Sequence, residues 1–103
     1  MNFKGKIVII TGAGRGIGAA LAYEFAARGA RVALADLDED EVRAVALEIG
    51  GFAYVCDVTI EKDIQRLVTH VEAELGEVDI FFSNAGICRG EPDHAASATN
   101  ATW

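Results

Sequence analysis

Positive charge is scarce and scattered: nine Lys and Arg stand against sixteen Asp and Glu in 103 residues, for a formal charge of −7. Nucleic acids and anionic membrane surfaces attract clustered basic residues, so neither is an expected partner. Long apolar runs are also missing, none approaching the roughly 20 residues that cross a bilayer. Cysteine is nearly absent. Cys56 and Cys88 have no CxxC partner and no adjacent base, which reads as inert thiols in a reducing interior rather than a disulfide or a nucleophile. With no basic-then-apolar leader, the expected address is cytoplasmic. His70 and His94 lack further ligands at metal-binding spacing, so no metal site is expected. There is no internal repeat and no low-complexity tract.

What is present is a strand and helix alternation carried by 51% hydrophobic residues. Residues 6–11 (KIVIIT) form a short, β-branched, continuously apolar run, as a parallel strand covered on both faces requires. A glycine-crowded turn follows, and then Ile17, Leu21 and Phe25 recur at helical spacing until Gly29 stops the pattern. Residues 31–36 (RVALAD) predict a second strand. Asp38 with Glu41 resembles a capping box opening a helix with Val42, Val45 and Ile49 on one face, ended by Gly50-Gly51.

A third strand is predicted over 52–56. Thr59, Glu61 and Asp63 open a third helix with an Ile64, Leu67, Val68, Val71 and Leu75 stripe, closed by Gly76. A fourth strand is predicted over 78–83, with Asn84-Ala85-Gly86 as its terminal turn. Right-handed βαβ connections of this kind give a doubly wound α/β fold with strand order 3-2-1-4. The chain is read as a single, partial dinucleotide-binding domain. Its core is 1–86; 87–103 is a polar loop, holding the only proline, Pro92, that runs into the start of another helix.

The chemistry gathers at strand ends, where doubly wound sheets bind ligands. Thr11-Gly12-Ala13-Gly14-Arg15-Gly16-Ile17-Gly18 lies where the first strand hands over to the first helix. Glycines there let main-chain N–H groups and a helix N-terminus approach a pyrophosphate with no Cβ between. The GxGxxG pattern fails from Gly12, because Ile17 takes the third glycine's place, and fits from Gly14 only in the variant ending at Ala19. A P-loop is ruled out because Ile17-Gly18 stands where Gly-Lys belongs. Asp36 follows Gly18 by 18 residues, near the spacing at which an acid accepts hydrogen bonds from the adenosine ribose. A carboxylate there favours NAD over NADP, since it bonds a hydroxyl and repels a 2′-phosphate. The alternative for Asp36 is a helix-capping acid beside Asp38, and for Asp57, at the end of the third strand, local capping.

Thr-Gly-x-x-x-Gly-x-Gly resembles the cofactor loop of the short-chain dehydrogenase/reductase family, whose Rossmann-type fold the predicted elements match. Asp36, Asp57-Val58 and Asn84-Ala85-Gly86 follow it in the family's order along the whole chain. The resemblance implies that Thr11, Gly12, Gly14, Arg15, Gly16, Ile17 and Gly18 hold the cofactor phosphates and that Asp57 and Val58 meet the adenine. It also implies that Asn84, Ala85 and Gly86 steady the sheet and approach the nicotinamide ribose, with Thr11 as the hydrogen-bond partner of Asn84. Arg15 resembles a feature of NADP-preferring members, but Asp36 decides for NAD.

Members move a hydride between NAD(P) and an alcohol or carbonyl, using a Tyr, a Lys four residues later and a Ser. Here Ala27 and Val58 stand four residues beyond Tyr23 and Tyr54, so no Tyr-x-x-x-Lys exists. The chain is therefore read as the cofactor-binding front of an oxidoreductase, not expected to turn over substrate by itself. The fourth strand, with Ile80, Phe81 and Phe82, is expected to be an exposed edge that pairs with further chain or another copy. Two alternatives stand beside this reading: a non-catalytic dinucleotide-binding module, and an interaction fragment that binds no nucleotide.

Overall fold

The computed structural model describes residues 2–14 and 16–83. Seven elements alternate along the described residues: β1 (Ile7–Thr11), α1 (Gly16–Ala27), β2 (Arg31–Asp36), α2 (Glu39–Ile49), β3 (Phe52–Val55), α3 (Glu61–Glu74) and β4 (Ile80–Ser83). The strands form one sheet in the order β3-β2-β1-β4, and every pairing is parallel. This is the doubly wound topology that the strand and helix alternation predicts.

Alternation along the strands builds two cores. Val8 and Ile10 of β1 and Val32 and Leu34 of β2 pack with Ala22 of α1 and Val42, Val45 and Ala46 of α2. Ile7, Ile9, Ala33 and Ala35 face the other way, onto Cys56 and onto Leu67 and Val71 of α3. A strand buried on both faces has no polar side to spare, which is why β1 reads as an unbroken apolar run. Fully burying each of its isoleucines contributes roughly 1.5–3 kcal/mol.

Local chemistry moves several element ends from where the sequence pattern places them. Lys6 stays outside β1, and β4 begins at Ile80 rather than Val78. Asp79 replaces ladder pairing there: its carboxylate accepts the Ile7 N–H at 2.9 Å and its own N–H donates to the Ile7 carbonyl at 2.9 Å. Cys56 lies just past β3 and is buried.

Thr59 does not cap α3. Ile60 occupies the N-cap without a side-chain bond, because the Thr59 N–H and hydroxyl both donate to Asp57 Oδ1, at 3.0 and 2.6 Å. Along α1 the predicted Ile17, Leu21, Phe25 stripe gives way at its start. Ile17 is 70% exposed, and the helix buries Gly18 and Ala22 instead. By contrast, α2 opens on Asp38, whose side chain accepts the Glu41 N–H, and closes on a left-handed Gly50, as its capping residues predict.

Among the described residues β4 is a sheet edge pairing only with β1. Its exposure is narrower than the run of three apolar residues implies, because Ile80 and Phe81 pack against the two cores. Phe82 is the one exposed to solvent.

Candidate functional site

The carboxyl ends of β1, β2 and β3 and the glycine loop meet at one end of the sheet. Parallel register puts Thr11 beside Ala35 and Ser83, and Asp36 beside Val55. The Cys56 N–H donates to the Asp36 carbonyl at 3.1 Å, which brings Asp57, just past β3, beside the β2 end. The Ala13 N–H donates to the Ala35 carbonyl at 3.2 Å, fastening the loop to the same point.

The glycines of the loop serve different physical needs. Gly12 and Gly16 hold φ of 66° and 63°, left-handed conformations that L side chains rarely adopt. Gly18 has an ordinary φ but no room, since a Cβ there would lie 2.0 Å from the Gly12 carbonyl oxygen. That close approach seats the first turn of α1 directly on the loop. The first turn of α1 contains no acidic side chain, whereas α2 opens with Glu39, Asp40 and Glu41 and α3 with Glu61 and Asp63.

Asp36 is locked to the loop. Its Oδ2 accepts the Gly14 N–H at 2.9 Å and its Oδ1 the Asp38 N–H at 3.3 Å. Glu41 comes up against the same glycine: its Cβ lies 3.0 Å and its Oε1 3.3 Å from where a Gly14 Cβ would be. The sequence shows Asp36 and Gly14 separately but not their union. Asp38, the rival capping acid, caps α2 itself, leaving Asp36 for the loop.

Asp57 is engaged locally by Thr59 and does not cap α3, whose N-cap is Ile60. Hydrogen bonds from the Thr59 hydroxyl and then from the Thr59 N–H hold its carboxyl below the usual carboxylate range. Its own N–H donates to Asp63 Oδ2 at 3.2 Å. Val58 is half-buried against the α3 face of the core. Arg15, Asn84, Ala85, Gly86, Cys88 and His94, together with the predicted loop over 87–103, lie outside the described residues.

Both tyrosine hydroxyls have partners of their own, although Tyr54 pairs with Ala35 near this end of the sheet. The Tyr23 hydroxyl donates to Glu48 and the Tyr54 hydroxyl to Glu74. Burial first, then Glu74, raises the Tyr54 hydroxyl above its ordinary pKa. His70 is exposed on α3. Among the described residues no cluster of His, Cys, Asp and Glu is placed to hold a metal ion, and no helix is long and apolar enough to cross a membrane.

The family model for short chain dehydrogenases matches residues 6–103, and the chain belongs to that family. It is 46% identical over 92 residues to a tropinone reductase-like protein from Erythroxylum coca, an alignment covering 87% of this chain and 34% of that one. Among solved structures it resembles a hydroxysteroid dehydrogenase from Escherichia coli, with TM-score 0.79 and 40% identity over 82% of this chain and 37% of the other. It also resembles a 3-ketoacyl-(acyl-carrier-protein) reductase from Brucella melitensis complexed with NADH, with TM-score 0.75 and 38% identity over 78% of this chain and 34% of the other. The chain thus spans about a third of the length of these proteins.

Proposed function

We propose that this chain binds NAD(H) as the cofactor-holding part of an oxidoreductase that moves a hydride between NAD(H) and an alcohol or carbonyl compound. One observation carries the reading: the glycine loop leads into a helix N-terminus without its own acids, and a carboxylate is fixed beside it by the loop's Gly14 N–H. With the N–H groups of Ala13 and Gly14 already engaged within the protein, the main-chain N–H groups of the first turn of α1 and the positive end of that helix suit a pyrophosphate. Asp36 suits the adenosine ribose hydroxyls and opposes the 2′-phosphate of NADP. Asp57 and Val58 are assigned to the adenine side, Thr11 and Asn84-Ala85-Gly86 to the nicotinamide ribose side, and Arg15 and Ile17 to the cofactor phosphates with the loop glycines.

The nicotinamide supplies the hydride chemistry when bound, and this chain's residues bind and orient it. The Brucella melitensis reductase, complexed with NADH, supports a nicotinamide nucleotide as the guest. Fluorescence titration of the chain with NADH and NADPH tests the reading: saturable NADH binding, weaker for NADPH, is expected, and binding of neither overturns it.

A second reading is favoured by the tyrosines. Both are tied to glutamates and no Tyr-x-x-x-Lys exists in the chain. On these residues alone the chain acts as a dinucleotide-binding module without turnover. NADH binding with no oxidation or reduction of any alcohol or carbonyl tested separates this from the full reaction. The reading includes a cytoplasmic address and self-association along the β4 edge, where Phe82 is 39% exposed. Size-exclusion chromatography showing a monomer at all concentrations rejects that contact.

A further inference from the structure

Gly14 is not one of the glycines of the Thr-Gly-x-x-x-Gly-x-Gly pattern, and its φ is not among the positive ones. Backbone conformation therefore permits any L residue there. Space does not. A Cβ on Gly14 would lie 2.9 Å from Asp36 Oδ2 and 3.0 Å from Glu41 Cβ. These two obstacles yield differently. Glu41 Cβ is fixed to the backbone of a helix whose N-terminus Asp38 caps, whereas Asp36 Oδ2 is the tip of a side chain with two torsions to turn. A methyl group at position 14 therefore turns the Asp36 carboxylate away from the Gly14 N–H, and the Glu41 Cβ contact is relieved by a shift of a few tenths of an ångström in α2 against the loop.

We propose that Gly14 selects the cofactor by leaving Asp36 its place. This rests on the reading of the site as NAD-binding. Of the roughly four lone-pair directions of a carboxylate, two here are taken by the N–H groups of Gly14 and Asp38. The remaining ones point in fixed directions, and two acceptor positions are what a ribose diol needs. An Asp36 displaced by a side chain at position 14 keeps its charge but loses that orientation. NADH then loses a charge-assisted hydrogen bond and NADPH meets less repulsion, so the preference narrows. Gly14 is a positioning residue; it reads the cofactor only through its neighbour.

The test is the ratio of the NADPH to the NADH dissociation constant, measured by fluorescence titration of the chain for wild type, Gly14→Ala, Asp36→Ala and the double variant. Asp36→Ala is expected to lower the ratio about tenfold or more, the equivalent of one charged hydrogen bond. Gly14→Ala should lower it about threefold to tenfold by the same accounting. In the Asp36→Ala background, Gly14→Ala should leave the ratio unchanged. A Gly14→Ala variant that weakens both nucleotides equally, or shifts the ratio by the same factor in both backgrounds, overturns the proposal while leaving the NAD reading intact.

A wild-type chain that binds neither nucleotide overturns both. If Gly14→Ala alone does not fold, the double variant, which lacks Oδ2, should fold better than it. Asp36→Glu, which moves the carboxylate off the Gly14 N–H, should then narrow the ratio. An Asp36→Glu variant with the wild-type ratio refutes the proposal.

Discussion

Replacing Gly18 by Ala places a methyl carbon 2.0 Å from the Gly12 carbonyl oxygen, 2.8 Å from the Gly12 carbonyl carbon and 3.0 Å from Ala13 Cα. Ordinary contact between a methyl carbon and an oxygen needs more than an additional 1 Å or so, compared with the roughly 3.5 Å of relaxed heavy-atom packing. All three obstacles are main chain, so no rotamer change relieves them. Nor is the main chain free to move: Gly12 is held at φ 66° and the Ala13 N–H is bonded to the Ala35 carbonyl. Helix α1 must lift off the loop.

Overpacking that shifts backbone costs up to about 3 kcal/mol or more, a large share of the roughly 5–15 kcal/mol that holds a domain together. At about 4–8 °C per kcal/mol for a domain near this size, a cost of about 3 kcal/mol lowers the midpoint of thermal unfolding by roughly 12–24 °C. Gly16 makes the comparison. A Cβ there meets nothing within 4 Å, and only its φ of 63° opposes a side chain, so Gly16→Ala should cost about 1–2 kcal/mol. Circular dichroism melts of the two variants read the difference directly. A Gly18→Ala protein melting within a few degrees of wild type, or above Gly16→Ala, would refute the close-packing argument.

Three further outcomes follow from local geometry. Asp38→Ala removes the side-chain acceptor at the start of α2 and should cost about 1 kcal/mol, seen as a lower urea midpoint with an unchanged slope; an unshifted midpoint contradicts the cap. Asp57 titrates below its ordinary 3.8 because Thr59 donates to it. The stability it lends is therefore present above that ordinary value and lost as pH falls through the lower, folded one. Thr59→Val should raise its midpoint toward 3.8 in a carboxyl NMR titration, and an unmoved midpoint rejects the assignment.

Burial first, then Asp63 and Asp57, pushes the Cys56 thiol from 9.0 up to about 11. Its contribution to stability is thus intact below the unfolded thiol's pKa and declines as pH rises toward the folded value. In a Cys88→Ser background, a disulfide reagent at pH 8 should modify Cys56 at the rate of unfolding, and complete labelling within seconds argues against its burial.

Much of the fold was legible because each buried strand must read as a continuous apolar run and each connection must be right-handed. The stripes of α2 and α3 were legible for a related reason: their apolar residues stand out against charged neighbours. The stripe of α1 was legible only in part: Leu21 and Phe25 pack against the core, but with alanine on nearly every side nothing in the composition marks Ile17 as exposed. The contact that orients the helix is made by Gly18, a residue with no side chain to count. Strand ends were misjudged where a side chain stands in for the ladder, as Asp79 does at Ile7, and Thr59 was misjudged because its donors serve Asp57, two residues before it, rather than the helix after it. At the site, the position of Asp36 at the end of β2 was legible from the apolar run before it. Its bond to Gly14 was not, since nothing in a sequence separates a glycine kept for space from one kept for its φ.

The charges around the loop tie these pieces together. In a chain with net charge −7, two described helices begin with their own acids, which satisfy the positive end of the helix from within. Helix α1 begins with none. On the proposed reading this one N-terminus is left for an external anion, while Asp36, and Glu41 behind it, set negative charge against the loop at Gly14. The site then admits the pyrophosphate shared by both nicotinamide nucleotides and repels the additional phosphate of one of them. Added salt should therefore narrow the preference for NADH over NADPH, because the repulsion is screened with a Debye length of about 8 Å at physiological ionic strength, whereas the hydrogen bonds from Asp36 to the ribose are not. A preference that stays constant from low to high salt would show that selection comes from hydrogen bonding alone.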